Sequence, residues 1–284
     1  MLQLRGLPGA PHAGALQGRR QGPPGAGAHP ERIGARGRAH AGGDPRELPA
    51  GRRLDRGAGS PRPVPGRRGE DRARLSTRIV VVRHGETHWN VASRIQGHAD
   101  SPLTEAGVAQ AEAIAARLAR ERFDRLVSSD LGRALQTAGA IAARTGHAVE
   151  ADARLRERNY GLAEGMTYGE IGVHYPEIFS RVRDTDPDYV VPGGESRRQL
   201  FERVRGAFED LARGNEGLCL AVVCHGGVLA ALYRHVHAIP IGASQAIPIP
   251  NASYNALVWE SGAWTVEAWA DTAHLAATEP FVEP

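Results

Sequence analysis

Two apolar runs in this chain end in the same unusual way. "IVVVRHGETHWN", residues 79–90, stops at Arg83, His84, Gly85 and Glu86, and "LCLAVVCHGG", residues 218–227, stops at His225, Gly226 and Gly227. A turn that only reverses the chain is made from Gly, Asn, Asp or Pro, so the arginine and the histidines call for a chemical reason. A neutral imidazole carries a lone pair that can attack phosphorus, and arginine offers planar paired donors to a phosphoryl dianion. A third stretch, "RLVSSDLGRALQTA" at 125–138, sets Arg133 at the start of a helix just after another strand. Two histidines and two arginines drawn from three strand ends make a strongly positive pocket, in which catalysis is positioning and charge stabilisation. A leaving alkoxide also needs a proton. Glu157 in "RLRERNYG" is the candidate acid. The plainer readings are a satisfied core residue for either histidine alone, and a surface ion pair with Arg156 or Arg158 for Glu157.

The elements that must position these groups alternate between strand-like and helix-like from residue 78 onward. That is the pattern of an α/β domain with a mostly parallel central sheet flanked by helices in three layers. The expected elements are a strand at 78–83, a helix over 104–123 capped by Thr104, a short strand at 124–129, and a helix from about 131 ended by Gly146. An edge strand at 147–152 follows, then an amphipathic helix with Ser196 and Gln199 as its capping box. A buried strand at 218–224 and two strands joined by a Ser-Gly turn after a Pro-rich loop at 248–250 complete the set. In an open parallel sheet, ligands bind beyond the carboxyl ends of the strands, so both histidines can face one crevice.

Six blocks in order, "RHGETHWN", "RIQGHADSPLTEAGVAQA", "SSDLGRALQTA", "RLRERNYGLAEGMT", "PGGES" and "VVCHGGVL", resemble the histidine phosphatase superfamily in its phosphoglycerate mutase-like branch. The likeness runs from about Arg78 to Leu275. It implies that His84 becomes a phosphohistidine, that Arg83, Arg133 and His225 bind the phosphoryl group, and that Glu157 is the proton donor. It further implies phosphate or substrate contacts from Asn90, Gln96 and Gly97, with Thr87 and the Gly226 N–H adding hydrogen bonds. Arg158 and Tyr160 match positions that contact substrate in the mutases. No metal or other cofactor is expected.

The same intermediate serves a phosphatase or a mutase. The cofactor-dependent mutases carry a longer, basic insertion before the second histidine, whereas only 67 residues separate Glu157 from His225 here and the chain has no lysine. "PGGES" and "HGGVL" resemble the phosphatase members. The expectation is therefore a metal-independent phosphomonoesterase acting on small phosphorylated metabolites. The alternatives are a phosphoglycerate mutase primed by 2,3-bisphosphoglycerate and a phosphate-binding module without activity, which would be expected to lack one of the five pocket residues. His88, His98, His174, His235 and His237 have suitable chemistry but no convincing place, Trp89, Tyr168, Tyr175 and Phe179 suit a pocket rim, and Asn251 and Ser253 lie within reach of the pocket.

Composition divides the chain of 284 residues near residue 77. Residues 1–77 hold fifteen Arg against six acids amid dense Gly, Pro and Ala, and the remainder holds 20 Arg against 26 acids. The first part cannot bury a core and reads as a disordered extension, or as upstream sequence outside the native protein. It lacks the Lys and aromatic interleaving of nucleic-acid binders, so no nucleic-acid partner is expected. Residues 78–276 read as the catalytic domain, in which a homodimer is compatible with the sequence, and 277–284 as a tail. Neither an apolar signal region nor a membrane span is legible. Cys219 and Cys224 read as small core hydrophobes of a reducing compartment, the cytoplasm.

Overall fold

Which side of the sheet each strand residue faces follows directly from its place in the sequence. In the computed structural model, which describes residues 76–183, 186–244 and 246–276, strand β1 (Thr77–Arg83) sends Ile79 and Val81 into one core and Val80 and Val82 into the other. β4 (Cys219–Cys224) does the same with Leu220 and Val222 against Ala221 and Val223. Such two-sided burial is why both read as unbroken apolar runs. Each fully buried Ile, Val or Leu contributes about 1.5–3 kcal/mol.

The remaining strands are β2 (Arg125–Ser128), β3 (Val149–Ala151), β5 (Tyr254–Glu260) and β6 (Ala263–Asp271), in the sheet order β3-β2-β4-β1-β5-β6. The first four are parallel, and β5 runs antiparallel to both β1 and β6. Ser261 and Gly262, both at positive φ, make the turn between β5 and β6, as a two-residue hairpin requires. Helices α1 (His88–Val91), α2 (Glu105–Leu118) and α3 (Gly132–Thr145) precede the second half of the domain. There α4 (Tyr168–His174), α5 (Pro176–Arg183), α6 (Arg197–Arg213), α7 (Gly226–Val236) and α8 (Ala273–Ala276) follow. α2 and α3 cover one face of the sheet through Ile114, Leu118, Ala134 and Ile141, while α6 and α7 cover the other through Leu200, Val204, Phe208 and Leu229. A third, smaller cluster of Ile95, Ile171, Ile178 and Val191 holds α4 and α5.

The caps fall where the sequence places them. Thr104 accepts from the Gly107 N–H, Ser196 and Gln199 form the capping box of α6, and Gly146 ends α3 in the left-handed conformation at φ 78°. One boundary is corrected: Thr77, assigned to the extension, opens β1 and is fully buried, its hydroxyl donating to the Ala212 carbonyl at 2.7 Å. The rest of the expected extension, apart from Ser76, and the 277–284 tail lie outside the described residues. Among the described residues no helix is long and apolar enough to cross a membrane.

Candidate active site

Register brings the two histidines together. β1 and β4 pair in parallel with Arg83 opposite Cys224, so the next residues, His84 and His225, leave the sheet side by side with ring centroids 5.2 Å apart. His84 is 3 % exposed, its N–H held by the Cys224 carbonyl at 3.0 Å. Its ring Nδ1 lies 2.7 Å from the Gly85 carbonyl oxygen. A carbonyl only accepts, so Nδ1 carries the proton and Nε2 carries the lone pair. Burial pushes the His84 imidazole well below the usual histidine range, Arg83 and Arg133 push it further, and the Gly85 bond opposes them only in part. The ring is therefore neutral near pH 7. A neutral imidazole with a fixed tautomer is what a nitrogen nucleophile needs.

Around this ring stand donors with nothing to donate to. Arg83 Nε, Arg133 Nε and His225 Nδ1 are buried and have no hydrogen-bond partner among the described residues, a costly state unless a ligand supplies the acceptors. Arg133, 1 % exposed, is aimed by three bonds from its terminal nitrogens, to the carbonyls of Ala99 and Gly97 and to Asp100 Oδ1 at 2.9 Å. The Arg83 guanidinium donates to the Ile249 carbonyl at 2.5 Å. His225 Nε2 meets Ser129 Oγ at 2.8 Å at the end of β2. When that nitrogen accepts the Ser129 proton, Nδ1 is left as an N–H donor. Burial, followed by His84 and both arginines, lowers the His225 pKa as well.

Glu157 does not make the surface ion pair with its neighbours. Arg156 is taken by Asp130, with Nε at 2.7 Å from Oδ1, and the Arg158 guanidinium turns to the carbonyls of Glu195 and Tyr189. The Glu157 carboxylate instead accepts two backbone N–H bonds, from Arg158 at 2.8 Å and from Gly227 at 2.8 Å. Gly227 lies in the first turn of α7, where the helix dipole favours an anion. A Cβ there would push the Glu157 carboxylate aside, since it would overlap Glu157 Oε1. The Glu157 backbone carbonyl is fixed in turn by His98 Nε2 at 2.9 Å and by Arg203.

A profile of the histidine phosphatase superfamily (branch 1) matches residues 79–272. The chain belongs to the histidine phosphatase superfamily. Among curated relatives, an Arabidopsis thaliana protein named metal-independent phosphoserine phosphatase is 40 % identical over 66 % of this chain and 79 % of its own length. Phosphoglycerate mutase-like protein 4 of Arabidopsis thaliana is 39 % identical over 67 % of this chain and 83 % of its own. Among solved structures, mycobacterial glucosyl-3-phosphoglycerate phosphatase superposes with a TM-score of 0.62 at 33 % identity, covering 69 % of this chain and 100 % of that one. Superfamily membership and the names of these relatives support a phosphatase or mutase activity.

The five residues expected to do the chemistry gather at the carboxyl edge of the sheet, and the expected accessory residues divide. Gln96 Oε1 is buried and unpaired, and the Gly97 carbonyl positions Arg133. A Cβ on Gly226 would stand 3.5 Å from Arg83 Nε, in ordinary van der Waals contact. Thr87 and Asn90 form a capping box: Asn90 Oδ1 accepts from the Thr87 N–H and hydroxyl at 3.0 Å each, which commits that hydroxyl proton, while the Asn90 side-chain NH2 lies outside the box. Asn251 Nδ2 joins that cap and also holds the His84 carbonyl at 3.0 Å. Ser253 is buried, and its carbonyl receives the Arg83 N–H. Arg158 braces the 189–195 loop, and Tyr160 lies beneath it, 5.0 Å from guanidinium carbon to ring centroid. Residues not foreseen are Ser129, Gly227, Asp100, His98 and Glu164, whose carboxylate gathers the N–H groups of His98, Ala99 and Tyr160. For all five, the signal was their place inside a matching block.

Proposed function

We propose that this protein is a metal-independent phosphomonoesterase that hydrolyses small phosphorylated metabolites through a phosphohistidine on His84. The observation that carries the reading is the pairing of a free His84 Nε2, set by the Nδ1–H bond to Gly85, with buried unpartnered N–H donors on Arg83 and Arg133 and the unpartnered Nδ1 of His225. In the first step Nε2 attacks phosphorus, the P–N bond forms and the ester P–O bond breaks. The Glu157 carboxylic acid gives its proton to the leaving oxygen. The equatorial oxygens meet the arginine and histidine donors, so the charge of the transferring group is neutralised by the chain itself. In the second step Glu157 takes a proton from water as its oxygen attacks phosphorus. The P–N bond breaks, and inorganic phosphate leaves with His84 neutral again.

Both Glu157 oxygens keep a free lone pair beyond their backbone bonds, so one side chain can serve as acid and then base. The cytoplasm is the compartment that fits the two free cysteines. The test is phosphorus NMR of the protein with EDTA, O-phosphoserine, 3-phosphoglycerate, a trace of 2,3-bisphosphoglycerate and other phosphomonoesters, with His84→Ala as control. Inorganic phosphate that accumulates only with the intact histidine supports the phosphatase. Appearance of 2-phosphoglycerate without phosphate overturns it in favour of the mutase. No turnover by the folded protein leaves the binding-module reading.

A further inference from the structure

A cavity of about 500 Å³ lies between α6 and α7, and its lining includes Arg158, Tyr160 and Gly227, whose N–H holds Glu157. α7 lines it with Gly227, Ala230, Ala231 and Arg234, and α6 with Arg197, Leu200 and Phe201. Both sets follow helical spacing, so each helix turns one face to the same space. On α7 the face is bare near the catalytic end and carries a cation two turns, roughly 10 Å, further along. Side chains on a helix lean back toward its N-terminus, and Arg234 does so, with Nη1 donating to the Ala230 carbonyl at 3.2 Å. Its head therefore lies over the preceding turn of α7, on the side of Gly227.

Neither Arg197 nor Arg234 has a carboxylate partner among the described residues, although most other arginines of the domain do. Arg234 Nε is buried and unpaired, and Arg197 has one bond, to the Val182 carbonyl at 3.2 Å. Burial pushes Arg234 below its ordinary value and Arg197 adds to this by repulsion, with no acid opposing it. Two partly buried cations that face one cavity without a carboxylate partner repel each other, and an anion held between them relieves that repulsion. We infer that the cavity is a second anion subsite, in which Arg197 and Arg234 hold a carboxylate or second phosphate at the far end of a substrate whose phosphoryl group sits on His84. This rests on the phosphatase reading and narrows its substrates to phosphomonoesters with a second anionic group several bonds from phosphorus, the spacer lying on Ala230, Ala231 and Leu200.

Benzyl phosphate, 4-carboxybenzyl phosphate and 1,4-benzenedimethanol bisphosphate test this with similar leaving groups. The wild type is expected to favour the two doubly anionic esters over benzyl phosphate by about tenfold to a hundredfold in kcat/KM, the range of charge-assisted hydrogen bonds. In Arg234→Gln and in Arg197→Gln that preference falls at least about tenfold, mostly through KM, and Arg234→Lys restores part of it. Which ester gains more separates carboxylate from phosphate as the natural group. A wild type without preference, or variants that slow all three esters alike, overturns the subsite. Calorimetric titration of the same ligands into His84→Ala, with and without Arg234→Gln, separates the two readings. A binding preference that Arg234→Gln removes, in a protein whose wild type hydrolyses nothing, keeps the subsite and discards the phosphatase, whereas hydrolysis without preference does the reverse.

Discussion

His84 and His225 stand on two hydrogen-bonded central strands, whereas the wall beside them hangs on the irregular chain between Glu157 and α6. The floor of the pocket inherits its precision from register: Arg83 opposite Cys224 fixes where both imidazoles emerge. The wall has no ladder to lean on and is braced side chain by side chain. Arg158 reaches the Glu195 and Tyr189 carbonyls, Arg203 pairs with Glu195 at 2.7 Å, and Glu164 gathers three backbone N–H groups. A sheet edge holds the groups that every phosphoryl transfer needs, and a loop-built wall can vary with the substrate without disturbing them.

Breaking the floor is expected to have the largest effect. His84→Ala removes the nucleophile and lowers kcat by about four orders of magnitude or more for every phosphomonoester, while circular dichroism shows the fold retained. Glu157→Gln keeps only one of the two backbone bonds, because its amide nitrogen cannot accept, and it cannot pass a proton. It lowers kcat about 10²–10⁴-fold for alkyl esters and much less for p-nitrophenyl phosphate, whose leaving group needs no acid. Steady-state kinetics on the two ester types reads the difference.

Two substitutions sharpen the boundary between floor and wall. Gly227→Ala places a methyl group against Glu157 Oε1 and displaces the acid without changing its chemistry, so kcat falls about a hundredfold with the same leaving-group dependence as Glu157→Gln. Ser129→Ala frees His225 Nε2 and lets the ring choose its tautomer, at a loss of about tenfold in kcat. An unchanged rate in Ser129→Ala would show that the hydroxyl does not orient His225.

The smallest expected effect is on stability against pH. Burial holds both imidazoles below the usual histidine value. Each therefore adds stability above the unfolded-chain value of about 6.5, and that contribution is lost as pH falls from there through the folded value. The melting temperature should drop between pH 8 and 5, and His225→Asn should flatten that slope. The acid limb of activity set by His84 should lie below pH 6.5. A melting temperature that rises toward pH 5 would contradict the neutral imidazoles.

What the sequence made legible follows the same division. β1, β4 and the caps at Thr104, Gly146 and Ser196 could be read, because two-sided burial and capping leave short-range patterns. The wall could not. α4 is seven residues with two glycines, too short and too weakly periodic to register. α7 opens on Gly226 and Gly227, poor helix formers that looked like the end of a strand. Ser129 showed only as part of a matching block, because its partner is 96 residues away. The cap that Thr87 and Asn90 form went unread, because Thr-x-x-Asn lies outside the usual Glu or Gln pattern.

The most direct measurement is to trap the intermediate. Protein mixed with phosphorus-32 labelled O-phosphoserine, or with whichever ester the NMR panel shows to be turned over fastest, is quenched in base within milliseconds and digested for mass spectrometry. The account predicts a base-stable, acid-labile label on the peptide containing His84, attached at Nε2 and absent from His84→Ala. Turnover without a labelled enzyme, or with the label on another residue, would contradict it.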